Sequence, residues 1–194
     1  IMRTTDARGR EAGLSFADYQ DWRRDARVFD GPSAAFAIGT ISLGRDGAAP
    51  EQFDGLYVSA DTFSVLRVKP QLGRDFSAAY DRPGAEAVAL ISSNLWKSRY
   101  GASRDVLGRK VSVNGAIPAT IVGVMPDGVR FIDFTDVWLP LAQMPGFAGQ
   151  RRDTRPLIMI GRLPDGARLD RVRADPPTMA ADRPVAHPAT KTAL

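Results

Sequence analysis

The sequence predicts an α+β fold of mixed, short-stranded sheets with three or four helices. Three observations carry this. The apolar runs are short and bounded by turn signals, as in AVALI at 87–91 and PLIMIG at 156–161. Segments with helical spacing open on serines, at Ser15, Ser59 and Ser93. Asn114-Gly115 sits between two alternating segments, the strongest short hairpin signal in the chain. A composition of 44% hydrophobic and 25% charged residues is that of an ordinary globular protein. A chain of 194 residues buries enough surface to fold without cross-links.

In chain order, residues 1–13 read as a polar, glycine-bearing linker. Ser15 with Asp18 has the spacing of a capping box, and Phe16, Tyr19, Trp22 and Ala26 then recur on one helical face. Residues 33–43 read as a strand, Arg45-Asp46-Gly47 as a turn and Phe53–Val58 as a second strand. Ser59 is expected to cap a short helix carrying Phe63 and Leu66, ended before Pro70. Residues 77–86 read as loop with a Pro83-Gly84 turn, and AVALI as a buried strand. Ser93 is expected to cap a helix with Leu95, Trp96 and Tyr100, closed by Gly101. The hairpin follows: Val111–Val113, a two-residue type I′ turn at Asn114-Gly115, and Ala119–Val124. Beyond the Pro126-Asp127-Gly128 turn come strands at 137–139 and 157–163, joined by a Gly- and Arg-rich connection at 142–155. The Pro164-Asp165-Gly166 turn leads into a helix over 167–175.

Chemistry is sparse. With no cysteine, disulfides, thiolate metal sites and cysteine nucleophiles are excluded, and His187 alone cannot supply a catalytic triad and a multi-histidine site. Neither a phosphate loop nor a dinucleotide fingerprint is present. Ser93 and Lys97 are four apart, not the three of a Ser-x-x-Lys pair, and Asp127, Asp133 and Asp136 lack the spacing of a calcium loop. The residues therefore argue against an enzyme, and no catalytic, cofactor-binding or metal-binding residue is expected. The net charge of +4 comes from 26 basic and 22 acidic residues, and only four of the basic ones are lysines (Lys69, Lys97, Lys110, Lys191). Arg and Asp alternate rather than cluster, as at Arg23, Arg24, Asp25, Arg27 and at Arg151, Arg152, Asp153, Arg155, which points away from a nucleic-acid partner. No apolar run approaches the ~20 residues that span a bilayer. The chain reads as a soluble piece of a longer protein.

Seven stretches are collinear in a telling order. LSFADY at 14–19 with Trp22-Arg23 and Phe29 comes first, then VSADTFSVLRVKPQLGRDF at 58–76 and VALISSNLWKSRYG at 88–101. VLGRKVSVNG at 106–115, TIVGVMPDGVRF at 120–131, DVWLPL at 136–141 and LIMIGRLPDGARL at 157–169 complete the series. Together they resemble the periplasmic core domain of MacB-like ABC transporter permeases, the family that also includes FtsX and LolC/E-type proteins. The resemblance implies a non-catalytic extracytoplasmic domain without cofactor, in a permease of the inner membrane with four transmembrane helices. It implies an ABC ATPase subunit or domain acting through the membrane part, a second permease copy in a dimer, and room for a periplasmic adaptor. The domain would relay ATP-driven conformational change across the membrane, a mechanotransmission serving efflux or another envelope process. The alternative is a free-standing periplasmic module that binds a ligand or peptide. The isolated domain is expected to be monomeric or weakly associating.

The same resemblance implies two subdomains. Residues 14–45 and 142–175 would form a discontinuous porter-like subdomain and 46–141 an inserted, sabre-like one. Residues 1–13 would be the linker from a preceding membrane helix and 176–194 a Pro-rich tail. Two positions depart from the family pattern. Arg67 stands where the family usually carries glycine, and Pro176-Pro177 with Pro184 interrupts the final helix, which is expected to end near Asp175. Leu-Gly-Arg occurs three times, at 43–45, 72–74 and 107–109, at unequal separations that do not support an internal repeat. The second and third triplets belong to the family motifs, and Arg74 and Arg109 read as structural organisers; the first reads as a coincidence of composition ahead of a turn.

Overall fold

A computed structural model describes residues 3–5, 11–25, 29–45, 48–115, 117–129, 131–132, 135–147, 154–165 and 191–193. The α+β class holds: among the described residues three α-helices accompany many short strands. Two compact units divide the chain, unit 1 from Ile1–Ala35 and Gly149–Leu194 and unit 2 from Phe36–Ala148. The division falls at 35/36 and 148/149 rather than at the expected 45/46 and 141/142. The register of the 33–45 strand explains the first difference, since its pairing with the next strand begins at Phe36↔Val58 and runs on to Leu43↔Glu51.

In unit 1, β1 (Arg3–Thr5) pairs antiparallel with β2 (Glu11–Ala12) and with β11 (Lys191–Ala193), Arg3 facing Ala193. The expected linker and tail thus each contribute to a sheet. Their strands are short and polar, held by backbone hydrogen bonds with no apolar alternation to announce them. Helix α1 (Phe16–Asp25) opens on the capping box read from the sequence. The Asp18 N–H donates to Ser15 Oγ at 3.1 Å and the Ser15 N–H to Asp18 Oδ2 at 3.4 Å, satisfying two amides that the first turn leaves unpaired. Tyr19 is buried while Phe16 and Trp22 are half-buried. Strand β10 (Ile158–Gly161) is shorter than the expected 157–163, and Leu157 instead forms an isolated antiparallel bridge with Leu14. Ala26, the turn residues Asp46 and Gly47, the 167–175 helix, Pro176-Pro177, Pro184 and His187 lie outside the described residues.

Unit 2 is organised by a circuit of strands. Strand β3 (Ser33–Arg45) forms an antiparallel hairpin with β4 (Ala48–Val58). Strand β4 runs parallel to β9 (Val137–Pro140), which is antiparallel to β6 (Val88–Ile91). Strand β6 is parallel to β8 (Ile117–Val124), which is antiparallel to β7 (Lys110–Val113). Strand β7 then returns to β3 through Leu43↔Val113 and Gly44↔Ser112, so the hydrogen bonds run β3–β4–β9–β6–β8–β7–β3 without an end. The two-residue β5 (Leu72–Gly73) adds to β8 outside the circuit. Every residue of β6 and β9 is buried, which is why AVALI shows no alternation: both faces of these strands are covered. On one side the Phe63 ring of α2 (Thr62–Leu66) meets Trp138 edge-on, centroids 5.9 Å apart.

Several caps differ from expectation. Ser92, not Ser93, caps α3 (Ser93–Tyr100): it leaves β6 in an extended conformation and accepts from the Leu95 N–H at 2.9 Å. Its hydroxyl also donates to Asp136 Oδ1 at 2.8 Å, so a second bond fixes the rotamer that caps the helix. Gly101 closes α3 at φ 59, as expected. Ser59 does not cap α2; its Oγ lies 3.4 Å from Thr62 Oγ1, and the loop at 77–86 includes a 3₁₀ turn at Ala78–Asp81 whose Asp81 Oδ2 accepts from the Ala60 N–H instead. The β7–β8 hairpin pairs Val113 with Ile117, so its loop has three residues rather than two. Asn114 and Gly115 do take positive φ, 50 and 83.

Arg67 occupies the left-handed position that ends α2, at φ 57 and ψ 37. Its N–H donates to Ser64 O and that of Val68 to Phe63 O, the two bonds of a Schellman motif, whose penultimate position favours glycine. Replacing Arg67 by Gly should relieve about 1 kcal/mol of backbone strain. That corresponds to a thermal midpoint raised by roughly 3 °C, measured by calorimetry; an unchanged or lowered midpoint contradicts the strain.

Candidate functional site

Polar groups of unit 2 gather where α3, the start of β9 and the β3–β4 hairpin converge. From α3, Lys97 Nζ reaches Asp127 Oδ2 at 2.6 Å, and this hydrogen bond chiefly holds the Asp127 carboxyl below its usual value. Asp136 is occupied differently: its carboxylate accepts from Ser92 Oγ, its carbonyl from the Ser92 N–H, and its own N–H donates to Asp54 O at 2.9 Å. The two acids therefore stitch separate strand ends rather than converging on an ion, and Asp133 lies outside the described residues. Ser93 is buried at 2% exposure, inaccessible as a nucleophile. Among the described residues no group of three or more His, Cys, Asp or Glu side chains could hold a metal.

Arg99 has a guanidinium drawn inward, its side chain 8% exposed. Nη2 donates to Leu43 O at 3.2 Å, Nη1 lies 3.5 Å from Glu51 Oε2, and the guanidinium carbon sits 5.3 Å from the Phe53 ring centre. One side chain of α3 thus grips both strands of the β3–β4 hairpin beside the register shift between Leu43 and Arg45. Opposite, Asn114 joins the β7–β8 loop to the same hairpin. Its N–H donates to Ser42 O at 2.8 Å and its Oδ1 accepts from the Ser42 N–H at 2.9 Å. Its Nδ2 donates to Tyr57 Oη at 3.0 Å. Burial raises the Tyr57 hydroxyl pKa, and the Asn114 bond opposes that.

The Leu-Gly-Arg triplets resolve unequally. Arg74 and Arg109 lie over the rings of Tyr80 and Tyr100 at 5.3 and 5.5 Å, and the Arg74 N–H donates to Val122 O. Both are exposed arginines stacked on local aromatics, consistent with organising roles. The first triplet does lead into the β3–β4 connection, since Arg45 pairs with Ala48, but it is also part of the sheet. Strand β3 continues through it, Leu43 is fully buried, and Leu43-Gly44 are the residues that pair with β7. The sequence reading missed Arg99, Tyr57 and Asp75. Asp75 and Arg99 carried a signal, their places in the 58–76 and 88–101 motifs, whereas Tyr57 lies outside both.

The fold is that of known extracytoplasmic permease domains. A domain of a putative permease protein from Porphyromonas gingivalis superposes at TM-score 0.75 and 18% identity, over 99% of this chain and 87% of that one. The periplasmic region of MacB from Actinobacillus actinomycetemcomitans gives 0.64 at 16% identity, over 90% and 79% of the two chains. The extracellular domain of the noncanonic ABC-type transporter YknZ from Gram-positive bacteria gives 0.63 at 13%, over 90% and 88%. In sequence, residues 1–175 match the MacB-like periplasmic core domain, and the chain belongs to that family. No curated protein sequence matches it. No helix among the described residues is long and apolar enough to cross a membrane.

Asp75, beside Arg74 in the family motif, titrates abnormally. Burial pushes its carboxyl up to about 6 from 3.8, opposed by the hydrogen bond it accepts from the Phe76 N–H at 2.7 Å. The folded state therefore holds this proton more tightly than the unfolded state. Its contribution is fully favourable below 3.8 and is lost as pH rises to about 6. Asp75→Asn keeps the acceptor oxygen and removes the charge. The variant should melt higher than the parent at neutral pH, with the gap closing as pH falls toward 3.8; a constant gap, or a less stable variant at neutral pH, contradicts this origin.

Proposed function

We propose that this domain serves a MacB-like ABC transporter permease as the extracytoplasmic element of a mechanical relay. ATP hydrolysis by an associated ATPase subunit or domain changes the membrane part, and this domain passes the change to partners or substrates in the periplasm, with no chemistry of its own. The family assignment over residues 1–175 carries the reading. The nested chain layout supports it, because unit 1 contains both the residues before and those after the insertion. On this reading unit 1 is the porter-like subdomain and unit 2 the sabre-like one. The working assembly contains two permease copies, with a periplasmic adaptor as a candidate partner, and the domain alone is monomeric or weakly associating. A free-standing ligand-binding module is the second reading; no contact among the described residues favours it.

This chain contains no cysteine, so a labelling test needs only that any cysteine elsewhere in the full-length protein be replaced. Ser77 is exposed and its side chain makes no cap bond, so Ser77→Cys in the full-length protein places one spin label on each unit 2. The relay predicts a paired-label distance that shifts between nucleotide-free and ATP-trapped protein, and a cysteine reached by membrane-impermeant maleimide from outside. The same distance in both states contradicts the relay. A soluble full-length product favours the binding module.

A further inference from the structure

Unit 1 joins two stretches of chain far apart in sequence, and the described residues show how they are held. Leu14 and Leu157 exchange both backbone hydrogen bonds, at 2.7 and 3.1 Å, and both side chains are fully buried. Next to this bridge the strands approach so closely that only glycine fits at position 13. A Cβ there would lie 2.7 Å from Leu157 O and closer still to Arg155 O, both backbone atoms that cannot swing aside. One turn further on, Arg155 Nη2 lies 3.7 Å from Asp18 Oδ2. That is the same oxygen that accepts from the Ser15 N–H in the capping box, so the start of α1 and the returning segment share one carboxylate. Beyond α1 the Asp30 N–H donates to Arg162 O at 2.8 Å, and the Phe29 ring occupies the space where a Gly161 side chain would be.

We propose that residues 13–18 and 155–157 form a clasp that stays shut through the transport cycle, so that a displacement of either flanking segment moves unit 1 as one body. This rests on the relay reading above. Two flanks tied only by side chains could slide past each other by exchanging partners. A reciprocal backbone bridge in a dry setting cannot, because sliding by one residue leaves its amides and carbonyls without water or partner. Gly13 is what permits the bridge, and Arg155 and Asp18 are positioning residues that set the helix against it.

The test is amide exchange at Leu14 and Leu157 in the full-length protein, nucleotide-free and ATP-trapped, beside the Ser77→Cys distance measurement. The clasp predicts equal protection in both states while the distance shifts. Faster exchange at either amide by about tenfold in one state shows that the clasp opens and overturns the proposal, while a shifting distance leaves the relay intact. A distance that does not shift removes the relay, and the clasp as a transmitter with it. Gly13→Ala supplies the converse. It should speed exchange at both amides and abolish the shift, with the Val88–Ile91 amides unchanged as the control for a folded unit 2; a retained shift with the clasp opened also overturns the proposal. Arg155→Ala, which leaves the backbone bridge in place, should give a smaller loss in the same direction and serves where Gly13→Ala does not fold.

Discussion

Unit 2 depends on one short meeting of backbones, the return of β7 to β3. Five of the six pairings in its circuit would still leave an open, curled sheet, with the backbone of β7 and of β3 at Leu43-Gly44 unpaired and open to unwanted strand pairing. The sixth pairing involves only Leu43↔Val113 and Gly44↔Ser112, and Asn114 extends it by one step. Asn114 stands in the left-handed region, which ends the strand, yet its side chain imitates one more ladder rung by accepting from the Ser42 N–H as its own N–H donates to Ser42 O. Its remaining donors reach Tyr57 on β4, so a single residue ties three strands. Each of these bonds is worth about 1 kcal/mol net, and together they close the circuit at its shortest contact.

Other contacts reinforce the same place from the opposite direction. Arg99 takes up Leu43 O, Glu51 and the Phe53 ring, which sets α3 against the hairpin just where its register shifts. Ser92 and Asp136 fix the other end of α3 to the start of β9. Of the polar residues weighed as candidate chemistry, Asp136 takes part in this fastening, and Lys97 and Asp127 are bonded to each other. A buried cation, a capped helix and stacked arginines thus tie α3 and the strand ends of unit 2 together.

Much of this was legible in the sequence, for reasons that can be named. The capping box at Ser15 and Asp18, the buried run at 87–91 and the hairpin signal at Asn114-Gly115 are local, and local chemistry decided them. The suspicion that Arg67 occupies a glycine position also held, because a left-handed residue after a short helix leaves a motif. What failed was non-local. Nothing in Leu43-Gly44-Arg45 says that β7, some seventy residues on, pairs with it, so the strand was read to Leu43 and the turn placed rightly after it, but the second partner was missed. Ser92 and Ser93 are equivalent by propensity, and the choice was made by Asp136, which is distant in sequence. The three-residue hairpin loop likewise reflects the register that β7 needs to reach β3, not the preference of Asn-Gly alone. The role of Arg99 was unreadable because an arginine on a polar helix gives no sign that it turns inward.

The family's sequence motifs, spread over both units, carry several of these joints, among them Ser92, Arg99, Asn114 and Asp136. If ring closure governs unit 2, the amides of Ser42 and Asn114 should exchange with solvent only through global unfolding of the unit, as slowly as those of Leu90 and Ile121 in its core. Native-state hydrogen exchange measured residue by residue decides this directly. Exchange of Ser42 and Asn114 at the rates of a frayed hairpin tip, with the core strands still protected, would show that the circuit is open in solution and contradict the account.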